Sequence, residues 1–324
     1  MRQPTIATVI PTIGRLELRR AIESVLAQSR KVDEIIVVAD TDEELDLPVG
    51  KDIVTLRVGP GAGGNVARQR GIEFATSDLV ALLDDDDEWE VHRLERQVDL
   101  IPEGLGQDWI VSSFLEARLD NGKTETWPDR AIGPTETIPE YIFRKHSVRA
   151  GMGYIQASTL LFPRLLGLAI PFDPALRFHQ DISWLNDVST ARPGVRLIQV
   201  PEPLVRHFIQ AGSVSKKISA EQSLGWAFEH LSSDGRTFGD FVLTHSLHAA
   251  ANSGNILRII QTAMQAGIHG KPGRPAVLYA CAFTLQFSLR QLAIAVRLLF
   301  KTILRKRCAS PAGIIVAPLR PRKI

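Results

Sequence analysis

Four consecutive aspartates, Asp84 to Asp87, directly follow five apolar residues, Leu79 to Leu83. A short apolar run closed by a polar cluster reads as a buried parallel strand. Ligands of open α/β sheets bind beyond the carboxyl ends of the strands, so these acids stand where chemistry is done. Neighbouring carboxylates repel one another unless positive charge sits among them. A hard divalent cation with a phosphate ligand is the simplest neutraliser. The plainer alternative is a solvated acidic turn in which one aspartate caps the next helix.

Two further stretches point to the same end of such a sheet. Glu34 to Asp40 is another apolar run closed by an acid. Gly59 to Gly64 (GPGAGG) precedes a helical stretch carrying Arg68. Glycines before a helix N-terminus leave backbone N–H groups free to face phosphate, and Arg68 can add a charge-assisted contact. Together these residues would frame a nucleotide: Asp40 on base or ribose, Gly64 and Arg68 near the phosphates, and Asp84 to Asp87 on a phosphate-bound metal. The glycines also match the dinucleotide pattern Gly-x-Gly-x-x-Gly. That turn follows the third strand rather than the first, however, and Pro60 lies inside it. No Gly-Lys-Ser/Thr follows, so a phosphate loop of that type is absent.

The elements that must position these residues alternate. Ala7 to Ile10 reads as a strand stopped by Pro11, Arg15 to Gln28 as a helix, Glu34 to Asp40 as a strand and Asp42 to Lys51 as a polar loop. Ile53 to Val58 is a third strand and Asn65 to Ala75 a helix, before the run at Leu79. This order implies a parallel sheet with right-handed crossovers. Further on, Glu90 to Leu100 reads as a helix, Trp109 to Arg118 as a strand and Asp120 to Thr137 as a loop over the site. Tyr154 to Phe162 is a strand or buried segment, and Gln180 to Val188 a helix beginning beside Asp181. Arg196 to Pro201 and Leu204 to Phe208 are two short strands. From Ala220 on, the pattern is helical.

The chain has 324 residues, 44% hydrophobic and 23% charged, which speaks against global disorder. Two cysteines allow no disulfide framework and fit a reducing, cytosolic setting. The N-terminus enters a strand pattern without signal-peptide anatomy. Residues 1–240 hold 26 Lys and Arg against all 36 acids, whereas residues 241–324 hold 12 Lys and Arg and no acid. Such asymmetry suggests an anionic partner for the C-terminal part. Within Ala276 to Leu304 the longest charge-free stretch, Pro275 to Leu289, is 15 residues, short of the roughly 20 that span a bilayer. On a helix, Gln286, Arg290, Arg297, Lys301 and Arg305 share one side. Leu285, Leu289, Leu292, Val296, Leu299, Phe300 and Ile303 cover much of the rest. That pattern fits a helix lying in the interface of an anionic membrane, or one packed on protein. Cys308 to Ile324 reads as a loose basic tail. Spaced aromatics for stacking bases are lacking there, so nucleic acid is a poor fit.

IPTIGR (Ile10 to Arg15), EIIVVAD, GGNVARQRGIEFA (Gly63 to Ala75) and LVALLDDDDEW resemble, in order, the N-terminal half of family-2 inverting glycosyltransferases. STLLFPR (Ser158 to Arg164), PFDPALRFHQDISWL (Pro171 to Leu185) and VRHF (Val205 to Phe208) resemble the acceptor half. The resemblance covers residues 5–215. It implies a GT-A fold: an α/β, Rossmann-like, mostly parallel sheet flanked by helices, here with a C-terminal all-helical appendage. The expected divisions are residues 1–105 for the nucleotide, 106–215 for the acceptor and 216–324 for the appendage. By the same resemblance Pro11, Thr12 and Arg15 meet the nucleotide and Asp40 meets its base. Arg68 matches a basic residue of the family, and Asp84 and Asp85 lie near ribose and base. Asp86 is the expected ligand of Mg²⁺ or Mn²⁺, with His207 facing metal or diphosphate, and Asp181 matches the catalytic base. Ala39, Thr41-Asp42 and Gln69 depart from the family's usual residues, which leaves the choice of base and sugar open.

The chemistry can be argued without the family. Glycosyl transfer needs a stabilised leaving group and an acceptor hydroxyl made nucleophilic. A metal bridging carboxylate and diphosphate serves the first need and one aspartate the second. In-line attack with a single base inverts the anomeric centre, through an oxocarbenium-like transition state. The expected function is transfer from a UDP-sugar to a carbohydrate or lipid-linked acceptor, in bacterial cell-surface polysaccharide or glycolipid synthesis. The expected place is the inner face of the plasma membrane. The alternatives are a sugar-phosphate nucleotidyltransferase, which would carry a glycine-rich basic loop after the first strand, and a non-catalytic nucleotide-sugar-binding module. Asp181 could instead merely cap its helix, Asp40 be a turn residue and His207 a buried histidine. His179 could shape the acceptor pocket. Trp89 and Trp184 read as packing residues and Arg206 as ionic support. Sugar selectivity is expected within Asp108 to Gly153.

Overall fold

In a computed structural model describing residues 3–104, 106–119, 121–148, 153–209 and 218–308, the apolar runs line up in one nine-stranded sheet. β1 (Ile6–Thr12), β2 (Glu34–Ala39), β3 (Val54–Arg57) and β4 (Leu79–Leu82) are parallel, in the spatial order β3-β2-β1-β4. α1 (Leu18–Leu26) and α2 (Gly64–Phe74) lie in the connections. Every residue of β1 and of β4 is buried, so both are apolar runs rather than alternating patterns. β1 does not stop at Pro11. Thr12 O accepts from Asp40 N (2.8 Å), so Thr12 bonds toward β2 and Pro11 faces the other side. There, pairing with β4 has already ended at Val9 and Leu82. The missing N–H of Pro11 therefore costs no ladder bond. α2 approaches the sheet closely at Gly71, where an added Cβ would come 2.3 Å from Val9 Cγ1.

The second half of the sheet is mixed. It comprises β5 (Glu88–Trp89), β6 (Trp109–Arg118), β7 (Thr124–Trp127), β8 (Leu161–Pro163) and β9 (Arg196–Phe208), interspersed with α3 (Arg93–Val98), α4 (Ile138–Phe143), α5 (Arg164–Ala169) and α6 (Gln180–Ala191). β8 lies antiparallel between β4 and β6, β9 runs parallel to β6, and β5 closes the order. The two short strands expected at 196–208 are one 13-residue strand. Its register against β6 shifts around Phe114, where Pro201 and Pro203 are absorbed as an irregularity rather than ending the strand. The expected loop 120–137 contains β7, which pairs with β6 through a turn at Gly122 (φ 76°). Of the segment 154–162, residues Ala157–Thr159 form a 3-10 turn and only the end is strand. α4 was not foreseen; Thr137 and Glu140 make a reciprocal capping box at its start.

The helical region consists of α7 (Ala220–Leu231), α8 (Gly235–Phe241), a π-helical turn (Val242–Ser246), α9 (Leu247–Ala251), α10 (Ile256–His269) and α11 (Arg274–Cys308). The chain divides into two compact units, Met1–Ala280 and Cys281–Ile324. Contrary to the reading from charge-free length, Arg274–Ile294, with Arg290 inside it, is long and apolar enough to cross a membrane by length and composition. Leu285, Leu289, Leu292 and Ile294 are exposed. The side chains of Val296, Leu299, Phe300, Lys301, Ile303 and Arg305 lie outside the described residues, as does the tail from residue 309.

Candidate active site

Beyond β4 the four aspartates share partners in two pairs, Asp85 with Asp86 on Arg15 and Asp84 with Asp87 on Gln156. Asp84 Oδ1 accepts from Arg68 Nη2 (2.6 Å) and Oδ2 from Gln156 Nε2 (3.0 Å). Asp85 accepts from Thr12 Oγ1 (2.6 Å) and Arg15 Nη1 (2.9 Å). Asp86 Oδ2 accepts from the same Arg15 nitrogen (2.6 Å). Asp87, wholly buried, accepts from Ser158 Oγ (2.6 Å) and Gln156 Nε2 (2.7 Å), and His207 Nδ1 lies 2.9 Å from its Oδ1. Thr12, Arg15, Asp84 and Asp85 are thus brought together at one end of the sheet. Pro11, also buried, is the penultimate residue of strand β1 and precedes Thr12.

Burial governs the electrostatics here. It pushes the Asp86 carboxyl up to about 7, with Asp84 and Asp87 adding to the effect and Arg15 opposing it. Asp85 is raised for the same first reason. Burial works against a charged His207, but the bond to Asp87 and the nearby Asp84 and Asp86 outweigh it and raise its pKa. His207 is therefore tied to Asp87 rather than to Asp86.

Asp181 stands in the first turn of α6. Its Oδ2 accepts from Ala157 N (3.1 Å), and its Oδ1 lies 4.0 Å from Arg68 Nη2. Arg68, buried on α2, therefore sits between Asp84 and Asp181, and its Nη1 donates to Gln180 Oε1 (2.9 Å). Burial raises the Asp181 pKa, opposed by Arg68 and reinforced by Asp84. The side chain nevertheless keeps 21% of its surface exposed, enough to be reached from solvent.

Asp40 departs from expectation. Both of its oxygens already accept backbone bonds from the glycine-rich turn, from Ala62 N and Gly63 N (each 2.7 Å). Those two amides face an aspartate instead of standing free for phosphate. The turn closes onto Asp40 because Gly59 leaves room; a Cβ there would lie 1.7 Å from Asp40 Oδ1. Gly64 opens α2 with Arg68 Nη1 and Gln180 Oε1 beside its Cα. His179 packs among Trp226, Phe241 and His245 in the helical region. Trp89 and Trp184 are buried packing residues, and Arg206 pairs with Glu88 and Glu90.

Gln156, Ser158 and Gln180 were not singled out from the sequence, and Asp87 was read only as one of the run expected on the metal. Four identical letters in a row do not reveal which one turns inward. Gln156 and Ser158 stand only two residues apart, the spacing at which a turn can aim both at one acid.

Residues 8–158 match the model of glycosyl transferase family 2. The amylovoran biosynthesis glycosyltransferase AmsB of Erwinia amylovora is 28% identical over 244 residues, covering 70% of this chain and 77% of that protein. The succinoglycan biosynthesis protein ExoO of Rhizobium meliloti is 29% identical over 210 residues, 61% of this chain and 58% of its own length. An uncharacterized glycosyltransferase of Nostoc is 38% identical over 92 residues, 26% of this chain and 28% of its own. The mixed α/β sheet, the carboxylates beyond β4 and these likenesses agree: residues 8–158 are a glycosyl transferase family 2 segment, and the protein is a glycosyltransferase.

Proposed function

We propose that this glycosyltransferase transfers a sugar, with inversion, from a UDP-sugar to a hydroxyl of a growing bacterial cell-surface polysaccharide or its lipid-linked precursor. The observation that carries the reading is the meeting of Asp181 with the aspartate run across the buried Arg68. Asp181 takes the proton of the acceptor hydroxyl as that oxygen bonds the anomeric carbon. The bond from that carbon to the diphosphate oxygen breaks, and its electron pair leaves with the nucleotide. Arg68 compensates the charge of Asp84 beside the base, and Thr12 with Arg15 holds Asp85 toward the nucleotide. Asp40 would exchange its contacts with the turn for the nucleobase. The names of AmsB and ExoO, which refer to amylovoran and succinoglycan, support a polysaccharide acceptor.

The donor set fits a divalent cation. Asp84 and Asp86 offer hard oxygens. Among the described residues no group of three or more His, Cys, Asp and Glu converges as ligands. A Mg²⁺ or Mn²⁺ site needs only one or two carboxylates when the donor's own phosphates complete it. Asp86 would hold the ion, with Asp84 beside it. A ring nitrogen of His207 could join only on losing its proton. When bound, the ion would offset charge building on the leaving diphosphate.

Calorimetric titration with UDP, GDP, dTDP and CDP, each with and without Mn²⁺, tests the donor. Binding of UDP that depends on Mn²⁺ is expected. Absence of binding by all four, with the protein shown to be folded, would sink the nucleotide-sugar reading.

The acid-free, basic C-terminal part supports attachment to the inner face of the plasma membrane. The full chain should pellet with vesicles containing anionic lipid and fail to pellet with neutral ones. Release by high salt would indicate a helix lying on the surface, and retention an inserted one.

A further inference from the structure

The first turn of α6 is held in an unusual way. His179, the residue before it, has φ 56°, alone among the described non-glycine residues in being positive, and its side chain caps nothing. A left-handed conformation at a side-chain-bearing residue persists only where its surroundings enforce it. Those surroundings are α7 and the π-helical turn. His179 Nε2 lies 3.1 Å from Ser223 Oγ on α7, and Ser223 Oγ lies 2.9 Å from Ser246 Oγ. The imidazole also packs against Trp226 and Phe241, each with ring centroids 5.3 Å away. One turn further along α7, Trp226 Nε1 donates to Ser183 Oγ (3.1 Å). Ser183, Ser223, Trp226 and Ser246 are all buried. Positions 223 and 226 share one face of α7, and their bonds reach α6 two residues before and two residues after Asp181.

We propose that α7 is a clamp that positions Asp181, with His179, Ser183, Ser223 and Trp226 as positioning residues and the π-helical turn as its backing. The proposal rests on Asp181 being the base. It gives the helical region a part in the chemistry beyond attachment. A base must face the acceptor within a narrow range of distance, and a misplacement of about 1 Å can cost about 100-fold in rate. Arg68, Asp84, His207 and Tyr154 are the titratable groups facing Asp181. Without the clamp the carboxylate can follow Arg68 or rotate toward solvent.

Ser223→Ala removes the bonds to His179 and Ser246 with little change of volume, Trp226→Phe removes the bond to Ser183 together with part of the indole's volume, and the double variant removes all three. Two readouts apply. The first is the titration of the Asp181 carboxyl followed by its ¹³C shift, assigned by its loss in Asp181→Asn. The second is UDP release from UDP-glucose with water as acceptor. Thermal melting checks that each variant is folded. In the double variant the proton affinity of Asp181 should change by about tenfold or more, and kcat should fall about 10- to 100-fold while KM stays within about twofold. A titration identical to that of the wild type in the folded double variant overturns the clamp. If Asp181→Asn itself releases UDP at the wild-type rate, it is the assignment of the base that fails.

Discussion

Asp181→Asn is expected to lower turnover by about 10²- to 10⁴-fold, the usual contribution of a positioned base. Binding of UDP should be unchanged, because Thr12, Arg15, Asp85 and Asp86 keep their bonds. Asparagine keeps the acceptor oxygen that meets Ala157 N, so the fold should survive. The pH dependence follows from the direction of the shift. Burial holds the Asp181 pKa above the ordinary carboxylate range, so the base form fills only above that raised value. Wild-type kcat should therefore rise with pH through it, and the residual activity of the variant should not. Stability runs the other way. An acid with a raised folded pKa contributes stability below its unfolded value, and that contribution is lost as pH rises through the folded one. The variant should accordingly melt at or above the wild-type temperature in neutral solution. A variant with unchanged kcat would remove Asp181 from the chemistry.

The second large effect is expected at Asp86. Asp86→Ala should weaken Mn²⁺-dependent UDP binding by more than about 100-fold, since changes merely adjacent to metal ligands cost 10- to 100-fold. Binding without metal should change little. Arg15 keeps Asp85, so the local geometry stays supported. In the absence of metal the variant should be the more stable protein. The Asp86 carboxyl is pushed up to about 7, against about 3.9 in the unfolded chain. Its destabilising effect grows between those values and reaches on the order of 4 kcal/mol at its limit. Melting temperatures of the two proteins should converge near pH 4 and separate toward pH 8, with the wild type lower. Added Mn²⁺ and UDP should reverse that order. Equal melting at pH 8 would mean that Asp86 is solvated and carries no such frustration.

The parallel half of the fold was legible because buried parallel strands write themselves as apolar runs, and an acid directly after such a run can only stand at the sheet's edge. Asp84 and Asp85 could be placed for that reason. β7 escaped because three of its four residues are exposed, so no apolar period marks it; its Asn121-Gly122 turn was the available sign. α4 carried a Thr-x-x-Glu start at Thr137 that went unread. β9 was split in two because prolines normally end strands, whereas here the bulge against β6 takes them up. What Asp40 touches was not legible at all. Its partners are backbone amides of a turn 22 and 23 residues further on, and no side-chain letter records an amide. The conformation of His179 is likewise imposed by α7, more than 40 residues away.

β8 is three residues long, yet among the described residues it is the strand that pairs with β4 on the side away from β1. During synthesis, residues 79–82 emerge long before residues 161–163. Until then β4 is an open edge, apolar along its whole length, of the kind that recruits foreign strands. The part of the sheet built from β1 to β4 is thus not a self-sufficient module. A ribosome must add about eighty more residues, on the order of 4–16 s of translation, before the strand that precedes the aspartates has a partner on both sides. Evolution by simple exchange of the parallel and mixed halves of the sheet is hindered for the same reason, because the seam between them is stitched by a segment borrowed from the later half.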